Sequence, residues 1–325
     1  MNHAEDLLSS EMAGLFLEKQ LKQWPLAAAN YQALRSVETR MLKPEGHRVC
    51  LQYNPTRILS TSAKTDKKVI RERPCFLCPD NLPEEQIRFR FRYEEEYLLL
   101  CNPYPIFLEH FTIPSTTHQP QAIANRFSDF LQINKALDKY TLFYNGPQSG
   151  ASAPDHIHFQ AVTRNVMPLD KEIETIHPQR EQLLINSPEG SLHALKHYMR
   201  NGFIIRAASQ EKAIDLFQVV YESAGGGKEP DMNLFSYYTN GKWTIVVILR
   251  KTHRPWQYNA EGKDHILSSP GAADMGGLFI TPRKEDFEKI TPEILTDIYK
   301  QVGYDNEQIE AISQKIHIKQ ACNQK

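Results

Sequence analysis

The sequence predicts an α+β fold in which an antiparallel sheet carries helices on one face. Three observations predict it. Residues 97–144 read as strand, strand, helix, strand; an alternating segment at 156–160 adds a fourth strand; and the second half repeats this theme more weakly. With 325 residues, 41% of them hydrophobic and 24% charged, the chain can bury one large core or two modest ones. Three parts are expected: an N-terminal helical segment over 1–47, a first half over 48–180 and a second half over 181–325.

Composition bounds the function. A formal net charge of −1 gives no broad field for nucleic acid or an acidic membrane, so neither partner is expected and an anionic ligand must be met by a local cluster. The N-terminus, MNHAEDLLSSEM, is acidic and lacks an apolar run followed by a small-residue cleavage site, and no later run is long enough to cross a bilayer. Five cysteines, an odd number, fit a reducing compartment better than a disulfide framework, so a cytoplasmic location is expected.

Apolar positions at helical spacing (Leu7, Leu8, Met12, Leu15, Phe16, Leu21, then Tyr31, Leu34, Val37, Met41) predict two helices over about 4–42, broken near Pro25. This stripe reads as core packing. A strand follows at 49–53, turns at Asn54-Pro55 and resumes over 57–59. Arg57 is a candidate phosphate contact, whereas Lys64, Lys67 and Lys68 read as a solvated basic run. Cys75 and Cys78 form a C-x-x-C between Pro74 and Pro79, a spacing at which two thiolates can bind one tetrahedral zinc. No thioredoxin-like unit surrounds them, and taken alone they serve as structural thiols as readily as ligands.

Residues 97–101 and 110–113 read as a hairpin turning at Asn102-Pro103 and Pro105, a helix follows over about 121–139, and a strand at 141–144 leads into NGPQSGASAPDHIHFQAV, residues 145–162. In a strand, side chains two apart share a face, so His156, His158 and Gln160 point one way while Ile157 and Phe159 point the other. Such a face suits phosphoryl chemistry. A neutral imidazole can attack phosphorus, and the loop before it offers backbone N–H groups and the hydroxyls of Ser149 and Ser152 to phosphate oxygens. The competing reading is a polar pair on a strand with no chemistry.

His-x-His-x-Gln after a Ser/Gly loop resembles the histidine triad superfamily in its transferase branch, which holds galactose-1-phosphate uridylyltransferase, nucleotide-sugar phosphorylases and diadenosine tetraphosphate phosphorylase. The resemblance covers roughly residues 48–165 by motif and the remainder by layout. It implies that His158 is the nucleophile that forms a covalent nucleotidyl intermediate and that Gln160 holds the phosphoryl group, with Asn145, Gly146, Ser149, Gly150 and Ser152 around the substrate. The serine sits one residue further from the first histidine, through Asp155, than the tetraphosphate phosphorylase pattern has it. The resemblance also implies that a structural Zn2+ is held by Cys75, Cys78, His118 and His156, with His110 packed inside the hairpin. One departure is that the uridylyltransferases carry an Asn-Asp pair near the first strand, where this chain has Glu94, Glu95 and Glu96.

In the second half, Asn240-Gly241 between alternating apolar runs predicts a type I′ hairpin, with helical patterns at 211–220 before it and 282–302 after it, the latter capped at Thr291-Pro292. No His-x-His returns there, so this half is expected to be a degenerate copy that shapes the substrate pocket. Arg250, Lys251, His253 and Arg254 cluster at the hairpin end, and SPGAADMGG begins a glycine-rich turn at Ser269; Lys251 and Ser269 are candidate substrate contacts. The expected activity is that of a nucleotidyltransferase or phosphorylase acting on a nucleoside diphosphate sugar or dinucleoside polyphosphate. Its acceptor would be inorganic phosphate or a sugar 1-phosphate, and a homodimer is compatible with it. A histidine-triad hydrolase, a catalytically inactive nucleotide-binding protein and a zinc hydrolase with an open coordination position are the alternatives.

Overall fold

In the computed structural model, which describes residues 7–58, 70, 72–225 and 229–323, the chain begins with α1 (Ser10–Gln23) and α2 (Pro25–Leu34). The Ser9 side chain accepts the Met12 N–H to cap α1, and Pro25 occupies the first position of α2, where its missing N–H leaves no bond unmade. Helix ends there, earlier than the apolar spacing suggested. Residues 38–42 form β1 (Glu38–Leu42), paired antiparallel with β2 (Val49–Tyr53), so tertiary pairing overrides the helical period at Met41. The strand expected over 57–59 is also corrected. Pro55 opens a 3-10 turn, Pro55–Arg57, that removes the segment from the ladder. Leu59, Lys64, Lys67 and Lys68 lie outside the described residues.

Ten strands build the main sheet: β3 (Phe89–Arg92), β4 (Glu96–Cys101), β5 (His110–Pro114), β6 (Tyr140–Asn145), β7 (His158–Thr163), β8 (Glu181–Ser187), β9 (Gly190–Leu195), β10 (Gly202–Ala207), β11 (Met232–Thr239) and β12 (Lys242–Leu249). Their order is β3-β4-β5-β7-β6-β11-β12-β10-β9-β8, with every pairing antiparallel. Read inward from either end, the order is the same. Each half contributes three strands, a helix and a closing strand pair, and the halves join where β6 meets β11 from Asn145↔Asn233 to Leu142↔Ser236.

The two crossover helices follow the same rule, with α3 (Phe127–Ala136) between β5 and β6. After α4 (Pro168–Glu174), the second half places α5 (Gln210–Gly225) between β10 and β11. The α3 helix is shorter than the 121–139 expected, with a 3-10 turn, Ala124–Arg126, ahead of it. Phe127 of α3 and Phe217 of α5 stack at 3.8 Å where the halves meet. The type I′ turn is formed as expected, with φ of 52° at Asn240 and 77° at Gly241.

Strand alternation divides the core in two. Leu142, Tyr144, Phe159, Ala161, Leu234 and Val247 face the helices α1, α3 and α5. Phe143, Val162, Phe235, Val246 and Ile248 face the other way, onto a layer made from the chain's end: α6 (Ala272–Met275), β13 (Leu278–Thr281), α7 (Lys284–Lys289) and α8 (Pro292–Val302), the last capped by Thr291. There β13 pairs in parallel with β2, tying second-half chain to first-half chain in a small sheet, β1-β2-β13. A final helix, α9 (Asn306–Asn323), packs beside α5. The cross-strand registers place Val246 and Ile248 of β12 on the face that carries His158 and Gln160 in β7. Apolar side chains thus stand in the second half where the first has its polar pair. No helix among the described residues is long and apolar enough to cross a membrane.

Candidate active site and metal centre

Cys75, Cys78, His118 and His156 converge, with one ligand atom from each lying within 4.8 Å of every other. The Sγ···Nδ1 separations are 3.3 Å for Cys75–His156, 3.2 Å for Cys78–His118 and 3.6 Å for Cys78–His156. Bonds of about 2.3 Å to sulfur and 2.0–2.1 Å to nitrogen in a tetrahedral site require roughly 3.6 Å between S and N, so the four residues are positioned to hold one metal ion. The surroundings orient the ligands. His156 Nε2–H donates to the Ser115 carbonyl at 2.8 Å, which turns the Nδ1 lone pair toward the cysteines. Asp155 stands 3.9 Å from His118 Nε2 and is itself paired with Arg73 at 2.9 Å. Without a cation, burial and the neighbouring Cys75 push the Cys78 thiol up to about 11.

His156 is not part of the strand, as the alternating pattern had suggested. Pro154 and Asp155 form a turn, and β7 begins two residues later, at His158. His156 reaches the cysteines from that turn, while His158 and Gln160 share the face of the sheet away from α3.

His158 is 4% exposed. Its Nδ1 lies 2.8 Å from the His156 carbonyl, and because a carbonyl only accepts, Nδ1 carries the proton and Nε2 the lone pair. Burial lowers its pKa to about 4, so the ring is neutral at physiological pH. A second histidine sets up Gln160. His110 Nδ1 accepts the Ile106 N–H at 3.4 Å, so its Nε2–H donates to Gln160 Oε1 at 2.9 Å, which leaves the Gln160 NH2 as the free end of that amide. Full burial holds His110 neutral, with its pKa lowered to about 3. Position 110 therefore serves the neighbouring strand and stands apart from the Cys75, Cys78, His118 and His156 cluster.

Both residues line a cavity of about 670 Å³ between the two halves. Arg57, Asn145, Gly150 and Ser152 line it from the first half, and His253, Arg254, Ser269 and Asp274 from the second. Arg57 Nη1 donates to the Tyr104 carbonyl at 2.8 Å; burial, countered by Asp274, lowers its pKa to about 10, so it stays charged at neutral pH. Across the cavity, Arg254 Nε donates to Ser269 Oγ at 3.0 Å, and Ser269 Oγ lies 3.2 Å from His253 Nε2.

The loops from the two halves touch. A Cβ on Gly150, whose φ is +98°, would lie 2.4 Å from Gly271 Cα, so only glycine permits this approach. Asn145 Oδ1 bridges them, accepting the Ala272 N–H at 2.7 Å and the Asn233 side-chain amide at 3.0 Å.

Three residues expected to touch substrate stand off the cavity wall. Lys251 turns outward toward Asp305 at 3.7 Å. Gly146 is held through its N–H to the Met232 carbonyl, and Ser149 is buried beneath the loop with an Oγ that has no hydrogen-bond partner. Of the basic cluster from which Lys251 is expected at the substrate, His253 and Arg254 are the cavity-lining members. Along a strand end the side chains diverge, and Arg250 and Lys251 were spent on the core and on Asp305 respectively.

A family model described as a domain of unknown function, DUF4922, matches residues 16–163. No curated protein matches the sequence. Crystal structures of yeast Ap4A phosphorylase Apa2 are similar over most of both chains. The enzyme without a named ligand has a TM-score of 0.56 and 15% identity over 86% of this chain and 97% of its own; the AMP complex has 0.55 and 17% over 88% and 97%. The complex with Ap4A gives 0.50 and 14% over 86% and 96%. The α+β fold of two sheet-plus-helix halves expected from the His-x-His-x-Gln segment is thus the fold found.

Proposed function

We propose that the protein is a nucleotidyltransferase working by double displacement, with a dinucleoside polyphosphate as donor and inorganic phosphate as acceptor. The observation that carries this is the neutral His158 ring, whose Nδ1 is fixed by a carbonyl and whose Nε2 lone pair is left for the cavity. In the first transfer Nε2 attacks the α-phosphorus; an N–P bond forms and the P–O bond to the phosphorylated leaving group breaks with its electron pair. In the second, an acceptor oxygen attacks the same phosphorus, the P–N bond breaks and the neutral imidazole returns. The Gln160 NH2 and the loop at Gly150–Ser152 donate to the non-bridging oxygens, and Arg57 and Arg254, on opposite walls, offset the charge of a polyphosphate.

The likeness to a phosphorylase crystallised with AMP and with Ap4A favours this donor over a nucleoside diphosphate sugar, which the same core would also serve with a sugar 1-phosphate as acceptor. Glutamine at 160 favours transfer over hydrolysis. All five cysteines are free, which fits a reducing, cytoplasmic setting, and the reading is compatible with a homodimer.

Two thiolates and two imidazoles are a donor set that suits zinc. With all four ligands from protein, the ion would stiffen the turn that leads into β7 and leave no position for activating water. Metal analysis of the purified protein is expected to find one zinc per chain, and replacing Cys75 and Cys78 with serine to remove it and lower the melting temperature. A metal-free wild type of equal stability would contradict this.

The activity test uses nucleotides labelled at the α-phosphorus. An acid-labile, base-stable adduct on His158 is expected, released as nucleoside diphosphate when phosphate is added. Release by sugar 1-phosphate alone would redirect the reading to a hexose-1-phosphate nucleotidylyltransferase, and release by water at the same rate would make it a hydrolase.

A further inference from the structure

Between the ends of β6 and β7 a hydrogen-bond rung is missing. The ladder runs from Tyr140↔Thr163 to Phe143↔Gln160 and stops, although the same register would set Asn145 opposite His158. The backbone groups that would have met are instead joined by one side chain. Gln121 Oε1 accepts the His158 N–H at 2.8 Å, and Gln121 Nε2 donates to the His158 carbonyl at 3.1 Å and the Asn145 carbonyl at 2.8 Å.

Gln121 is 1% exposed, and a buried amide with both ends engaged has little freedom to move. Its backbone is anchored as well. Gln121 N–H donates to the Pro154 carbonyl at 3.2 Å, and Ile157 N–H donates to the Gln119 carbonyl at 2.7 Å, so residues 119–121 run beside the turn that precedes β7. Two residues further on, the Ile123 N–H donates to Glu229 at 2.8 Å, and the same carboxylate accepts the Tyr144 hydroxyl at 2.6 Å. A strap fixed at both ends thus holds a wedge between two strands.

We infer that Gln121 is a positioning residue for the nucleophile: its amide keeps β6 and β7 apart by one side chain's width and fixes the peptide of His158, and thereby the direction of the imidazole. Direct pairing of Asn145 with His158 would close the gap from which the 146–157 loop departs and draw the ring toward β6. The inference rests on the proposed role of His158 for its catalytic consequence, but its structural content does not.

Gln121→Leu keeps the approximate volume and removes all three bonds; Gln121→Glu keeps the shape and the acceptor for the His158 N–H but sets a carboxylate against two carbonyls. Single-turnover adduct formation is expected to slow by about 10- to 100-fold in both, the range a small misplacement of a reacting group produces, while nucleotide Kd and zinc content stay near wild type. The imidazole 15N and 13C signals of His158, recorded without ligand, are expected to shift. An unchanged His158 spectrum, or a loss carried entirely by Kd with the adduct rate intact, overturns the inference. Should Gln121→Leu fail to fold, Gln121→Glu decides by the same two readings. If wild type forms no adduct, the proposed activity falls, and the His158 spectrum still decides the role of Gln121.

Discussion

Replacing His158 with alanine is expected to abolish the covalent adduct and to lower turnover by roughly four to six orders of magnitude, the scale on which removal of a covalent nucleophile acts. The rest of the site should survive. His158 makes one side-chain hydrogen bond, to the His156 carbonyl, and that bond contributes about 1 kcal/mol, so stability and zinc content should change little. Gln160, held by His110, would still bind a phosphoryl oxygen, and the cavity would still admit nucleotide. Equilibrium binding by calorimetry should therefore persist while the adduct disappears. A variant that retains labelled adduct, or loses binding and activity together, would remove His158 from the role of nucleophile.

The His158–Gln160 face and the Cys75–Cys78 pair were legible because each is encoded over a short stretch. Read alone, His-x-His-x-Gln and C-x-x-C each leave a structural alternative open; the resemblance to the transferase branch is what joins His118 and His156 to the cysteines, and the structure brings the four together. Local pattern misplaced what long-range contacts decide. The alternation at 156–160 gave no hint that Pro154 and Asp155 turn the chain so that His156 serves the cysteines from outside β7. Met41 fits a helical stripe, yet pairing with Cys50 puts it in a strand. Ser149 is two residues from the cavity-lining Ala151 but is buried, because the glycine at 150 brings the loop against Gly271, more than a hundred residues away. Gln121 could not be picked out at all, since its partners are on other strands and its residue type carries no signal, and for His110 the sequence indicates packing inside the hairpin but not the bond to Gln160 on the neighbouring strand.

The largest stability loss is expected at Arg250, which lies outside the reacting groups. Its side chain is fully buried, and every N–H finds an oxygen. Nε donates to Val302 at 3.1 Å, Nη1 to Asn233 Oδ1 at 2.8 Å and to Pro270 at 2.9 Å, and Nη2 to Thr252 and His253, both at 3.2 Å. Burial lowers its pKa only to about 10, because Asp274 and Asp231 oppose the desolvation, so the guanidinium is charged. Three of its five acceptors sit on the 252–253 and 270 segments that carry His253 and adjoin Arg254 and Ser269, and another, Asn233, passes the constraint on to Asn145 Oδ1 and the Ser149 carbonyl. Arg250→Met, which fills the space but strands these acceptors, is expected to cost about 3–5 kcal/mol and to lower the melting temperature by on the order of 5–10 °C. Lysine would not restore it, since three donors on one atom cannot reach acceptors spread around a planar fork. In the surviving folded fraction the loss should fall on KM for nucleotide more than on adduct formation, because the wall carrying Arg254 loosens while His158 keeps its own carbonyl. Thermal melts and nucleotide titrations of the Met and Lys variants check this. A Lys variant that melts with wild type would show that the charge, and not the fork, holds the two halves of the cavity together.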